Sequence, residues 1–244
     1  MTKEVKIMIS IAALLILGGG ALLLLEPAPA EPGNFVDQSR LIREHNTMTG
    51  SLDAKVTVVE FGDMQCPACA SAHPVVKQII NEYGDNPDFN FVFRHFPLSS
   101  IHPHAQISAE AVEAAGDQGK FWEMHDLLFT RQSEWASGGN PLDKFVAYAG
   151  ELGLDTGSFK QAIESRQFAQ LVQADLSDGE QLGVYSTPTF IVNGQMYRGV
   201  LNLDEFKTII DEALSAPEEN QNEETQEEQT SVESDGNQEQ NQAN

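Results

Sequence analysis

The pattern of apolar and polar positions changes period several times along the chain, and each change marks an element. Ile7 to Leu25 (IMISIAALLILGGGALLLL) is 19 residues without a charge. As a helix it extends about 28 Å, near the ~30 Å of a bilayer's hydrocarbon core. Val56 to Phe61 (VTVVEF) is apolar and β-branched enough for a buried strand, which Gly62 and Asp63 end. Val75, Val76, Ile79, Ile80 and Tyr83 then recur at helical spacing. That spacing predicts a helix starting near Pro67, a residue suited to a first helical position. Phe89 to Leu98 (FNFVFRHFPL) reads as a second strand.

The middle of the chain is helical in period. HPHAQISAEAVEAAGDQG and KFWEMHDLLF predict two helices, and a Ser137 to Pro141 loop separates them from three more, Leu142 to Leu152, Ser158 to Glu164 and Phe168 to Leu182. In TPTFIVNGQMYRG, Asn193 and Gly194 are the favoured pair for a type I′ turn, so two antiparallel strands meet there. Leu203, Phe206, Ile209, Ile210, Ala213 and Leu214 form a last amphipathic stripe, with Asn202 and Glu205 spaced as a capping box. The order is strand, helix, strand, helical block, hairpin, helix, without repeats.

Composition narrows the partners. The 244 residues carry a net charge of −23 with only 14 Lys and Arg, which excludes a nucleic-acid phosphate surface. Nine of the acidic residues and no basic ones lie between Pro217 and Asn244, among Gln, Asn, Ser and Thr; the remainder carries −14. This segment, 217–244, reads as a solvated tail. Lys3 and Lys6 precede the apolar stretch and Glu26 and Glu31 follow it, an asymmetry that places the N-terminus inside and all that follows outside. The small residues of Ala28 to Ala30 also fit a signal-peptide cleavage site. The length favours an uncleaved single-pass anchor over 1–25, followed by a linker and lead-in over 26–52, and either form exports the domain.

Export gives meaning to the only two cysteines, Cys66 and Cys69, in VTVVEFGDMQCPACA. A disulfide between them closes too short a loop to stabilise the fold much. Cys66 falls at a helix N-terminus, where free backbone N–H groups and the dipole favour a thiolate, and Cys69 falls one turn inside. One thiol is placed to attack and the other to resolve. A Cys₂His₂ zinc module built on Cys66, Cys69, His73 and either His102 or His104 is the reading from a different class. Against it, structural zinc sites draw thiolates from two separated loops. The bland alternative leaves His73 on a helix surface before Pro74 and the other two at a strand-to-helix junction.

FGDMQCPAC, FRHFPL, AAGDQGKFWEMHDLLF and GVYSTPTFIVNG, in this order, resemble the DsbA-like thiol:disulfide oxidoreductases, over about Asp53 to Leu214. The resemblance implies an α/β thioredoxin-like fold over 53–216 with a helical insertion over about 101–182. It also implies a cis proline, Pro188, beside the dithiol. Thr187, Pro188, Pro67 and Ala68 would border an extended substrate segment. The best-known members carry His where this chain has Ala68, so oxidising strength does not carry over. Glu60 stands six residues before Cys66, where the family places a carboxylate beneath the dithiol that can take a proton from Cys69; a solvated strand end at Gly62 is the plainer alternative. The expected activity is oxidation of exported proteins with free thiols, without a cofactor or metal, followed by reoxidation through a quinone-linked membrane protein. A reductase is the alternative. An isomerase is set aside, since 26–52 has no room for a second module.

Overall fold

The computed structural model describes residue 36 and residues 40–217; the apolar stretch Ile7 to Leu25 and the acidic segment after Pro217 lie outside the described residues. Among the described residues no helix is long and apolar enough to cross a membrane.

In chain order the elements are β1 (Val56–Gly62), α1 (Pro67–Tyr83), β2 (Phe89–His95), α2 (Ala105–Gly116), α3 (Phe121–Thr130), α4 (Gln132–Trp135), α5 (Leu142–Glu151), α6 (Thr156–Glu164), α7 (Ala169–Gln181), β3 (Thr189–Val192), β4 (Gln195–Arg198) and α8 (Leu203–Ser215). The sheet order is β2-β1-β3-β4. β1 pairs in parallel with β2, which requires a crossover, and α1 supplies it. β3 pairs antiparallel with both β1 and β4. Asn193 and Gly194 both have positive φ, 46° and 87°, as the two-residue turn between β3 and β4 demands. The Asn193 side chain ties this turn to β1 by accepting from the Thr57 N–H and donating to the Lys55 carbonyl, both at 2.9 Å.

Strand alternation divides the core in two. Val56 and Val58 of β1, Phe89, Phe91 and Phe93 of β2, and Phe190 of β3 face α1, α8 and the helical insertion. Val59, Phe61, Val92 and Ile191 face the other way, onto Leu41, Phe96 and Val184, with Leu176 of α7 packed alongside. Gly179 lets α7 lie this close, because a Cβ there would stand 2.7 Å from the Phe96 ring. α8 opens with the capping box, the Asn202 side chain accepting from the Glu205 N–H and Glu205 returning to the Asn202 N–H, each at 3.0 Å.

Several boundaries differ from the sequence expectation for identifiable reasons. β2 stops at His95 instead of Leu98, because Pro97 has no N–H for a ladder and the Leu98 N–H turns to the Asp63 carboxylate at 2.9 Å. α2 begins at Ala105, after a turn that holds His102 and His104. α6 starts at Thr156, two residues early, since Asp155 caps it through the Ser158 N–H. The segment after Arg40, the later part of the expected linker and lead-in over 26–52, packs on the sheet. Met48 bridges to Val92, the Thr49 N–H donates to the Phe91 carbonyl, and Leu41 is buried.

Candidate active site

The site lies where β1 hands the chain to α1. Cys66 is the N-cap of α1, with extended backbone (φ −69°, ψ 123°), and Pro67 is its first helical residue. Cys66 is 6% exposed and Cys69, one turn inside, is wholly buried, so the inner thiol is the more buried of the two but neither is broadly exposed. Electrostatics separates them. The Cys69 thiol hydrogen-bonds to Cys66 and favours its anion, outweighing the cost of burial. The Thr187 side chain and the backbone N–H groups of Cys69 and Ala68 add to this, holding the Cys66 thiol down at about 5. Burial, followed by the hydrogen bond to Cys66 and the nearby Glu60 charge, pushes Cys69 well above the usual thiol range.

The bond from Thr187 to Pro188 is cis. It sets the Thr187 carbonyl 3.5 Å from Cys66 Sγ, in reach of the protonated thiol, while the buried Thr187 hydroxyl has no other partner. Pro67 is exposed and Ala68 half-buried at the mouth. Glu60 is 2% exposed, which removes the solvated strand end. It shares the alternating face of Val56 and Val58, under α1, and burial with the nearby Cys66 charge raises its carboxyl to about 8.

The loop before Cys66 is braced by residues that sequence reasoning did not single out. Asp63 accepts from the Gln65 and Leu98 N–H groups and pairs with His102 Nδ1 at 2.6 Å. The Gln65 side chain accepts from the His104 N–H and donates to the Ala136 carbonyl, both at 2.6 Å. Gln132, in the four-residue α4, donates to the carbonyls of Met64 and Cys66 at 2.9 and 3.0 Å. A helix this short leaves little periodic trace, and nothing local marks Gln132 as facing a residue 66 positions earlier.

The Cys₂His₂ zinc set does not assemble. His102 is engaged by Asp63, and His104 Nε2 lies 3.2 Å from the Gly138 carbonyl. His73 is not a surface residue; it is 5% exposed and packs against His125 and Phe129. Among the described residues the one cluster of three potential ligands is His73, His125 and Asp126, without either cysteine.

These features match known proteins. A solved structure of BdbD from Bacillus subtilis, in its oxidised form, superposes with a TM-score of 0.64 at 25% identity, over 70% of this chain and 94% of that one. DsbA2 of Pseudomonas aeruginosa gives a TM-score of 0.55 at 26% identity, over 68% and 93%. A curated protein, the Na(+)/H(+) antiporter NhaA 1 of Salinispora arenicola, is 39% identical over 173 residues, 71% of this chain. The chain spans about a quarter of the length of that relative, and the transport in its name describes that protein. A family model described as Thioredoxin matches residues 43–212. That match takes in the sheet, the dithiol, the cis-proline loop and the helical insertion, and the chain belongs to the thioredoxin family, in its DsbA-like form.

Proposed function

We propose that this protein is an extracytoplasmic thiol:disulfide oxidase that donates the Cys66–Cys69 disulfide to exported proteins and is tethered to the membrane by Ile7 to Leu25. The observation that carries the reading is the opposed acidity of the thiols: Cys66 is held down at about 5 while Cys69 is pushed up. A stabilised Cys66 thiolate favours the reduced enzyme and so makes the oxidised enzyme a strong electron acceptor.

In the forward reaction a substrate thiolate attacks Cys66 Sγ, the Cys66–Cys69 bond breaks, and Cys69 leaves as a thiolate that takes a proton. The substrate's second thiolate then attacks its own sulfur in the mixed disulfide. Cys66 is expelled as a thiolate, a good leaving group because of its low pKa. Two electrons have passed to the enzyme, and a quinone-linked membrane protein bearing a disulfide accepts them in turn. Tyr185 (70% exposed), with Arg198 stacked 4.7 Å from its ring centre, and Val200 (47%) offer apolar surface close in sequence to Thr187, Pro188 and the strand that follows. The Thr187 and Pro188 backbone is suited to receive an extended segment.

Equilibration of the Cys66–Cys69 pair with reduced and oxidised glutathione tests the direction. An oxidase should hold its disulfide only at high proportions of oxidised glutathione; a pair that stays oxidised in a mostly reduced buffer would identify a reductase.

Glu60 has its role in the return reaction, where Cys69 must lose a proton to attack a mixed disulfide at Cys66. Burial and the Cys66 charge together raise the Glu60 carboxyl to about 8. In the mixed disulfide Cys66 carries no charge and burial alone holds the carboxyl up, so Glu60 becomes a competent base as pH rises through the interval below 8. Resolution should therefore accelerate over that interval. Glu60→Gln should slow resolution by roughly tenfold or more and flatten its pH dependence, while leaving attack by Cys66 almost unchanged. Stopped-flow measurement of both steps checks this, and equal resolution rates from pH 6 to 9 would remove Glu60 from the mechanism.

A further inference from the structure

His73 of α1 and His125 of α3 meet in the core between the dithiol helix and the insertion, their rings 5.3 Å apart. The walls are Phe93, Phe121 and Phe129, which offer no hydrogen-bond acceptor in the ring plane. His125 is 2% exposed and neither of its ring nitrogens has a hydrogen-bond partner; those of His73, 5% exposed, also lack one in good geometry. An unpaired buried polar atom forfeits its hydration without a replacement partner, so two such imidazoles side by side are an unfavourable way to fill an apolar core. Asp126 closes the open side. One of its oxygens stands 3.2 Å from His73 Nε2 and the other pairs with Lys77.

We propose that His73, His125 and Asp126 bind a divalent transition-metal ion of the zinc type, which fastens the helix carrying the dithiol to the helical insertion. One ligand atom from each residue lies within 4.8 Å of the others. Bonds of about 2.0–2.1 Å in a tetrahedral site put ligands roughly 3.3 Å apart. The His73–Asp126 pair already has that spacing, and the His125 ligand atom lies within 4.8 Å of both. Two imidazoles and one carboxylate form a known zinc donor set that leaves the fourth position to water. Asp126 is about one-third exposed and gives the ion its entrance. Lys77 opposes binding twice, by occupying a carboxylate oxygen and by its charge. The site shares no ligand with the redox pair, so it should fill whether Cys66 and Cys69 are oxidised or reduced.

The test uses the full chain, stripped with a chelator, with its two cysteines joined as a disulfide, titrated with Co²⁺ and then with Zn²⁺ in competition. One equivalent of Co²⁺ should bind, giving visible d–d absorption without a thiolate charge-transfer band, and Zn²⁺ should displace it and raise the melting temperature. His125→Gln should weaken binding at least about tenfold, and Asp126→Asn should do likewise should the buried variant fail to fold. Lys77→Ala should tighten binding several-fold, a gain that a purely structural ion pair with Asp126 does not predict. Absence of saturable binding, undiminished binding in both ligand variants, or binding only by the reduced protein with sulfur charge transfer would each overturn the site.

Discussion

Cys69→Ser should accumulate mixed disulfides through Cys66, and Cys66→Ser should accumulate almost none. The cause is ionisation more than access, since Cys66 itself is only 6% exposed. At pH 6 a thiol held at about 5 is mostly thiolate, whereas one pushed well above the usual thiol range is almost wholly protonated. Alkylation at pH 6 should thus favour Cys66 over Cys69 by at least about tenfold even though a low-pKa thiolate is the weaker nucleophile, with the Cys66 rate half-maximal near pH 5. The leading cause of the low value is the hydrogen bond from the Cys69 thiol, so the replacement chosen at residue 69 matters. A serine hydroxyl can still donate and should leave the midpoint near 5; Cys69→Ala has no donor and should shift it upward. Equal midpoints in the two variants would transfer the effect to Thr187 and the N-terminal amides of α1. Equal trapping by Cys69→Ser and Cys66→Ser would refute the division of labour altogether.

The features that could be read from the sequence were those expressed within one element or at one turn. The apolar, β-branched run over Val56 to Phe61, the 3.6-residue stripe after Pro67, the Asn193–Gly194 turn and the Asn202–Glu205 cap are all local, and each appears where its pattern placed it. What the sequence concealed is polar burial created by contacts far along the chain. His73 looked like a surface residue because it is polar and precedes Pro74. Yet it stands four positions after Cys69 on the same helical face, and that spacing was the available signal that both turn inward. The segment 40–52 reads as linker and lead-in because nothing local shows what its polar residues Arg43, His45 and Asn46 meet. Their partners, Asp175 and Asp178, lie about 130 residues later and give those groups a reason to pack. Glu60 shows the limit from the other side. Its conspicuous place in an apolar run marked it for attention, but only the three-dimensional sheet shows β1 flanked by β2 and β3, with solvent excluded from that carboxylate.

Arg94→Met should be among the most destabilising substitutions outside the dithiol, lowering stability by about 3–5 kcal/mol, a large part of the 5–15 kcal/mol typical of a domain. Arg94 is wholly buried at the end of β2. Its guanidinium donates twice to Asp175, at 2.7 and 2.9 Å, and once to Asp178, at 2.6 Å. It donates also to the Arg40 and Leu41 carbonyls at 3.1 and 3.3 Å. Removing it leaves the equally buried Asp175 with only neutral donors, Asn46 and the His95 N–H, and with His45. That is the unfavourable case of a buried charge without its counter-ion. Asp175→Asn should cost less, because Arg94 retains Asp178. The same network sets an acid limit. Arg43 and Arg94 hold the Asp178 carboxyl down at about 2, and Asp175 lies below its ordinary value despite burial, through His45 and Arg94. Carboxylates lowered by folding add stability that is complete above the unfolded value near 4 and vanishes as pH falls towards 2. Urea denaturation from pH 7 down to pH 2.5 should accordingly show stability falling below pH 4 in the parent protein, and Arg94→Met should flatten that fall. Because Arg94 also holds the backbone at Arg40 and Leu41, the variant should open that segment to proteolysis before the domain unfolds. A loss smaller than about 1 kcal/mol, with the acid limb unchanged, would reduce the cluster to an ion pair of the kind that contributes little at a surface.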